Sequence, residues 1–86
     1  MPRVCEFYGI VIFVHRREHG PPHFHAQYGD FQISVRINNL AILRGRFPRR
    51  AEGLVLEWAA SHKNELLENW DLARAYKALK RIDPLD

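Results

Sequence analysis

At 86 residues the chain has room for one modest hydrophobic core and not for a second, so residues 1–86 are read as a single domain. A hydrophobic fraction of 47% and an aromatic fraction of 12% exclude a disordered chain, and the lone cysteine, Cys5, excludes an intrachain disulfide and a cysteine-based zinc knuckle. The net charge of +3 hides an asymmetry: residues 1–50 carry eight arginines against Glu6, Glu18 and Asp30, whereas residues 51–86 carry five basic and seven acidic residues. Arginine's planar fork matches phosphate better than lysine's point charge, so the first half suits RNA, DNA or an acidic protein without choosing among them. The longest apolar run, residues 10–14, is far short of the roughly 20 residues that cross a bilayer, and no basic-then-apolar leader opens the chain. A cytoplasmic protein with no membrane contact is expected, and the small core makes a permanent partner or a homodimer a reasonable expectation.

Residues 1–4 read as a lead-in. Residues 5–15 are rich in β-branched and aromatic side chains and apolar on both faces toward their middle, the pattern of a strand at a sheet centre. A stiff turn follows over residues 16–22, because Gly20-Pro21-Pro22 cannot lie in a helix: proline lacks the backbone donor and biases the residue before it toward extended geometry. Residues 23–28 form a second strand, with His23, His25 and Gln27 on one face and Phe24, Ala26 and Tyr28 on the core face. Gly29-Asp30 signals a tight turn, and residues 31–37 alternate Phe31, Ile33, Val35 and Ile37 with Gln32, Ser34 and Arg36, the mark of a half-buried antiparallel strand. If these two strands pair about that turn, His23, His25, Gln27, Gln32, Ser34 and Arg36 share one surface. Asn38-Asn39 turns the chain again, and residues 40–46 complete a meander.

Pro48 opens a helix where its missing donor costs least. Ala51, Leu54, Val55, Trp58, Ala59, Leu66 and Trp70 then recur at helical spacing as a stripe that packs on the sheet, with His62 on the stripe. A break is expected at residues 69–71, where Asp71 caps a short turn over residues 72–77, and residues 78–85 are expected to add an edge strand before Pro84. The fold class is therefore α+β: a four-stranded, mainly antiparallel sheet packed against one long helix, with a short C-terminal helical turn and an edge strand.

The stretch Glu18-His19-Gly20-Pro21-Pro22-His23-Phe24-His25 is where chemistry concentrates. As a metal site, His23 and His25 offer two imidazole ligands from one strand face, with His19 or His62 as a third, a set that zinc, nickel or copper accepts; no acidic or cysteine ligand completes it. As a metal-free acid/base site, one histidine takes a proton from a ribose 2′-hydroxyl, another protonates the leaving oxygen, and an arginine stabilises the phosphorane. A third reading is structural, with the prolines stiffening a hairpin and the imidazoles making ordinary hydrogen bonds. Arg44-Gly45-Arg46-Phe47-Pro48-Arg49-Arg50 places four arginines at a helix entrance. Cations there oppose the helix dipole, so this run reads as an anion site for phosphate or an acidic partner, or else as a solvated basic loop. Cys5 reads as inert, Trp58 as core, and an exposed Trp70 as a sign of a partner interface.

Glu6-Phe7-Tyr8-Gly9-Ile10, His19-Gly20-Pro21-Pro22-His23-Phe24-His25-Ala26, Pro48-Arg49-Arg50, Leu54-Val55-Leu56-Glu57-Trp58, His62, Glu65-Leu66 and Trp70 together resemble the small bacterial domain-of-unknown-function family 4160. The resemblance implies one half of a two-gene bacterial module, the toxin half of a toxin-antitoxin pair, beside a small antitoxin-like protein. It marks His19, His23, His25, Trp58 and His62, and the Ala75-Tyr76 segment departs from a glycine-containing turn of relatives. The leading expectation is a toxin acting on RNA or the translation machinery, as a ribonuclease without metal or other cofactor, and held inactive by a partner protein. In it His23 and His25 are the acid/base pair, His19 or His62 assists, and Arg36, Arg44, Arg46, Arg49 and Arg50 bind phosphate. The competing expectations are a non-enzymatic antitoxin or adaptor whose arginines meet an acidic partner, and a small protein binding a divalent transition metal through His23 and His25.

Overall fold

A computed structural model describes residues 2–86. The elements in chain order are β1 (Arg3–Phe7), β2 (Ile10–Phe13), β3 (His23–Tyr28), β4 (Phe31–Arg36), β5 (Ile42–Arg46), α1 (Arg49–Ala60) and α2 (Lys63–Arg74). The strands form one antiparallel sheet in the order β1-β2-β3-β4-β5. The expected α+β class and antiparallel meander hold, with five strands and two helices in place of four strands and one long helix.

The additional strand comes from Tyr8-Gly9, which splits the single strand expected over residues 5–15. Both residues have positive φ, 51° and 79°, the two-residue turn whose twist suits a hairpin, and Phe7 then pairs with Ile10. Arg3 and Val4, expected in the lead-in, belong to β1. One face of the sheet carries Val4, Phe7, Ile10, Ile12, Phe24, Ala26, Ile33 and Val35 into the core, where α1 adds Ala51, Val55, Trp58 and Ala59 and α2 adds Leu66, Trp70 and Ala73. Each such aliphatic or aromatic side chain contributes about 1.5–3 kcal/mol on burial, so this layer is the main stabilising feature. Phe31 lies outside it, being exposed at the turn end of its hairpin.

The helical segment breaks at Ser61-His62, not at residues 69–71. A straight helix over residues 49–74 would be ~39 Å long, beyond the 33 Å long axis of the molecule. The corner lets both helices lay their apolar stripes on the same sheet. Asp71 is consequently a mid-helix residue whose carbonyl accepts the Ala75 N–H, and it caps nothing.

No edge strand forms over residues 78–85. That segment runs as a strap beside β1, held by the Ile82 N–H to the Val4 carbonyl (2.8 Å), by Trp58 Nε1–H donating to the Asp83 carbonyl (2.7 Å), and by the Asn69 amide, which bonds both the N–H and the carbonyl of Lys80. Ile82 is buried beneath it. The opposite edge, β5, is exposed along all its residues.

Candidate functional site

The face of the sheet opposite its apolar core face holds the site, and α2 reaches its His23 end. In β3 and β4 the register pairs His23 with Arg36, His25 with Ser34 and Gln27 with Gln32, so the alternation brings the expected polar side chains onto one surface. From β2, Phe13 pairs with His25 and stacks on its ring, with centroids 5.2 Å apart and planes 13° apart; His15, two residues on, lies edge-on to His25 at 4.4 Å. On the far side β5 contributes Arg44 opposite Ser34 and Arg46 opposite Gln32, and Leu43 is the extra residue of a bulge between them and Ile42.

The β2–β3 connection supplies the remaining member. Arg16 donates to the Lys77 carbonyl (2.9 Å), and the Pro22 carbonyl accepts the Ile37 N–H (3.0 Å), so the loop is tied down at both ends. Between these ties the chain turns back and sets Glu18 over the two strand histidines. One carboxylate oxygen bonds His25 Nε2; the other lies 3.3 Å from His23 Nε2. The second nitrogen of each ring is also engaged, His23 Nδ1 with the Pro21 carbonyl at 2.9 Å and His25 Nδ1 with the Ser34 hydroxyl at 3.1 Å. Trp70 of α2 packs on the His23 ring at 5.0 Å. His23 and His25 are only 8% and 7% exposed, an unusual burial for a pair of histidines.

This crowding sets the electrostatics. Burial pushes the Glu18 carboxyl upward, but the hydrogen bonds and positive charge available from His25 and His23 together outweigh it and hold the group below the usual carboxylate range. For His25, burial pushes the imidazole below its ordinary value; the Glu18 carboxylate opposes this without cancelling it, and His15 and His23 add to the push. A chain Ser34–His25–Glu18 resembles a nucleophilic triad in its order, but β4 lies between two paired strands, so its backbone N–H groups supply no oxyanion hole there.

An open cleft of about 330 Å³ lies over the cluster, lined by Glu18, His19, His23, His25, Ser34 and Arg44 among others. Of the residues expected at the site, His23, His25 and Arg44 line it, His19 stands exposed at its rim, and Arg36 and Arg46 share the same sheet face. Arg36 Nε is buried without a hydrogen-bond partner among the described residues. His62 is elsewhere: it begins α2, leans on Trp58 and bonds Glu65 through Nδ1. Arg50 lines a separate cleft with Tyr8, Tyr28 and Leu54. Arg49 opens α1 without a bond to the cluster. Glu18 and His15 are the members of the cluster that sequence reasoning missed; Phe13 and His15 share a face by alternation, and that was the available signal.

Residues 9–71 match the family described as Domain of unknown function (DUF4160). The chain belongs to this family. The matched span of the DUF4160 domain contains His15, Glu18, His19, His23, His25, Ser34, Arg44 and His62, and leaves out β1 and the C-terminal strap. No curated protein and no solved structure matches the chain. No helix among the described residues is long and apolar enough to cross a membrane.

Proposed function

We propose that this chain is the toxin half of a two-protein bacterial module and acts on RNA at the cleft of the open sheet face. The observation that carries the reading is the juxtaposition, across adjacent strands, of a carboxylate-anchored imidazole cluster with the guanidinium groups of Arg36, Arg44 and Arg46. Chemistry at a phosphodiester needs both parts: positive charge to hold the phosphate and a reactive centre beside it. His62, Arg49 and Arg50 take no part in this reading. A metal-free acid/base role for His23 and His25 fits less well than the sequence suggested, because all four of their ring nitrogens already face protein groups.

The test is induced expression in a bacterial host with RNA integrity followed alongside growth. Growth arrest with RNA cleavage is expected, and both are lost in Arg44→Gln/Arg46→Gln with the fold intact by circular dichroism. For single-stranded RNA the double variant also lowers the salt slope of log K by about 1.4. A folded chain that neither arrests growth nor cleaves RNA overturns the reading. A second reading, a protein-binding module, is favoured by the bare β5 edge: an acidic partner strand added there would meet Arg44 and Arg46. Co-purification with the neighbouring gene product, abolished by Arg44→Pro, distinguishes it.

A further inference from the structure

With neutral rings, the hydrogen inventory of the cluster leaves one place for a proton or a metal cation. A carbonyl oxygen only accepts, so His23 Nδ1, 2.9 Å from the Pro21 carbonyl, carries the ring's hydrogen. The Nε2 of the neutral ring is then a bare lone pair, and 3.3 Å away it meets Glu18 Oε2, which also only accepts. Two acceptors face each other in a nearly buried place, and something positive belongs between them.

His25 is built in the same way. Its Nδ1 meets the Ser34 hydroxyl, which can accept, and its Nε2 turns on the other oxygen of Glu18. Each ring thus has its outer nitrogen held by a protein oxygen and its inner nitrogen facing the Glu18 carboxylate. That is the outer-shell arrangement of metal-ligating histidines, in which the bond at one nitrogen fixes the lone pair of the other. A third imidazole is at hand, since one ligand atom from each of His15, Glu18 and His25 lies within 4.8 Å of the others.

We propose that Glu18, His23, His25 and His15 bind one divalent transition-metal ion of the zinc class. Ligands at about 2.0–2.1 Å around a tetrahedral ion sit about 3.3 Å from one another, the separation that His23 Nε2 and Glu18 Oε2 already have. His15, Glu18 and His25 form the compact set, and His23, outside it, joins through its contact with Glu18. A single dication placed among these groups meets the carboxylate and the ring lone pairs together. Three imidazole nitrogens and one carboxylate oxygen suit zinc, cobalt, nickel or iron, whereas magnesium and calcium favour all-oxygen shells.

The proposal rests on reading this cluster as the reactive centre, and it names the cation that draws Glu18 off the two strand histidines. The experiment is titration of the full chain, free of any affinity tag, with Zn²⁺ and with Co²⁺, followed by calorimetry, visible absorption and thermal unfolding. One ion per chain, the visible bands of four-coordinate cobalt and a raised Tm are expected. All three are lost in His23→Gln/His25→Gln; Glu18→Gln or His15→Gln weakens binding at least about tenfold; His62→Gln leaves it unchanged. Should the double variant fail to fold by circular dichroism, the two single variants carry the test. Absence of stoichiometric binding, or binding that survives in His23→Gln/His25→Gln, overturns the assignment. RNA cleavage separates the two readings: a chain that binds the ion and spares RNA keeps the metal and removes the RNA substrate, and a chain that cleaves RNA and binds no ion does the reverse.

Discussion

Replacing Gly45 by alanine tests how the arginine strand is built. Gly45 lies in β5 opposite Ile33 with φ near +90°, and a Cβ at this position would stand 2.0 Å from the Gln32 carbonyl oxygen, 3.0 Å from its carbon and 3.1 Å from the Ile33 Cα. The neighbour is backbone in the middle of the sheet, so it cannot swing aside as a side chain would. The left-handed φ costs an L-residue about 1–2 kcal/mol. Relieving the overlap means separating β5 from β4 locally, with at least one ladder bond lost at about 1 kcal/mol net. Gly45→Ala is therefore expected to destabilise by about 3 kcal/mol, a fall in Tm of about 12–24 °C for a domain of this size. Gly53→Ala is the internal control: it lies within α1 with open space around its Cβ position, and it should stabilise by about 0.5–1 kcal/mol. Urea unfolding of both variants beside the native chain is the assay. A Gly45→Ala protein within about 1 kcal/mol of native would refute the close approach of these strands, and with it the placement of Arg44 and Arg46 on the histidine face.

Three further outcomes are expected. Tyr76 stands just beyond α2 with φ +57° and 62% exposed, in the position where such helix ends usually carry glycine, with Tyr76 N–H on the Ala73 carbonyl and Lys77 N–H on that of Leu72; Tyr76→Gly should raise stability by about 1 kcal/mol in urea titration, and a loss would contradict the assigned cap. Trp58→Phe removes the donor to the Asp83 carbonyl, so it should cost about 1–3 kcal/mol and hasten proteolysis after residue 77; unchanged cleavage there would mean that the strap is held by other contacts. Burial pushes the Cys5 thiol above its ordinary value of 9.0, so its thiolate opposes folding: the contribution is intact below that pH and lost as pH rises through the folded value. The gap in stability between native and Cys5→Ala should change only at alkaline pH, and a gap that changes near neutrality would refute it.

Where a periodic pattern was backed by a matching turn, the sequence was a good guide. The strand at residues 23–28, the Gly29-Asp30 turn and the alternation of residues 31–37 led directly to the His23–Arg36, His25–Ser34 and Gln27–Gln32 pairs. Tyr8-Gly9 escaped because it interrupts an apolar run whose pattern fits an unbroken strand equally well. The helix corner at Ser61-His62 escaped because the apolar stripe continues through it; the constraint is the size of the sheet beneath, which no local pattern states. At the site, the strand histidines were legible and Glu18 was not, since its reach depends on a loop tied to Lys77 and Ile37 from distant parts of the chain. His62 lies apart from the cluster: spacing places it on the apolar stripe, and at the corner it leans on Trp58 and bonds Glu65.

The two margins of the sheet are finished differently. β1 is capped by the chain's own strap, and β5 is left with unpaired backbone along its outer side among the described residues. A sheet open at both margins can recruit copies without limit and grow into a fibre. One open at a single margin cannot: two copies joining β5 to β5 would close about a two-fold axis, using the only free margin of each. The strap thus sets a ceiling of two on self-assembly by strand pairing, and a different chain that takes the β5 margin first leaves none.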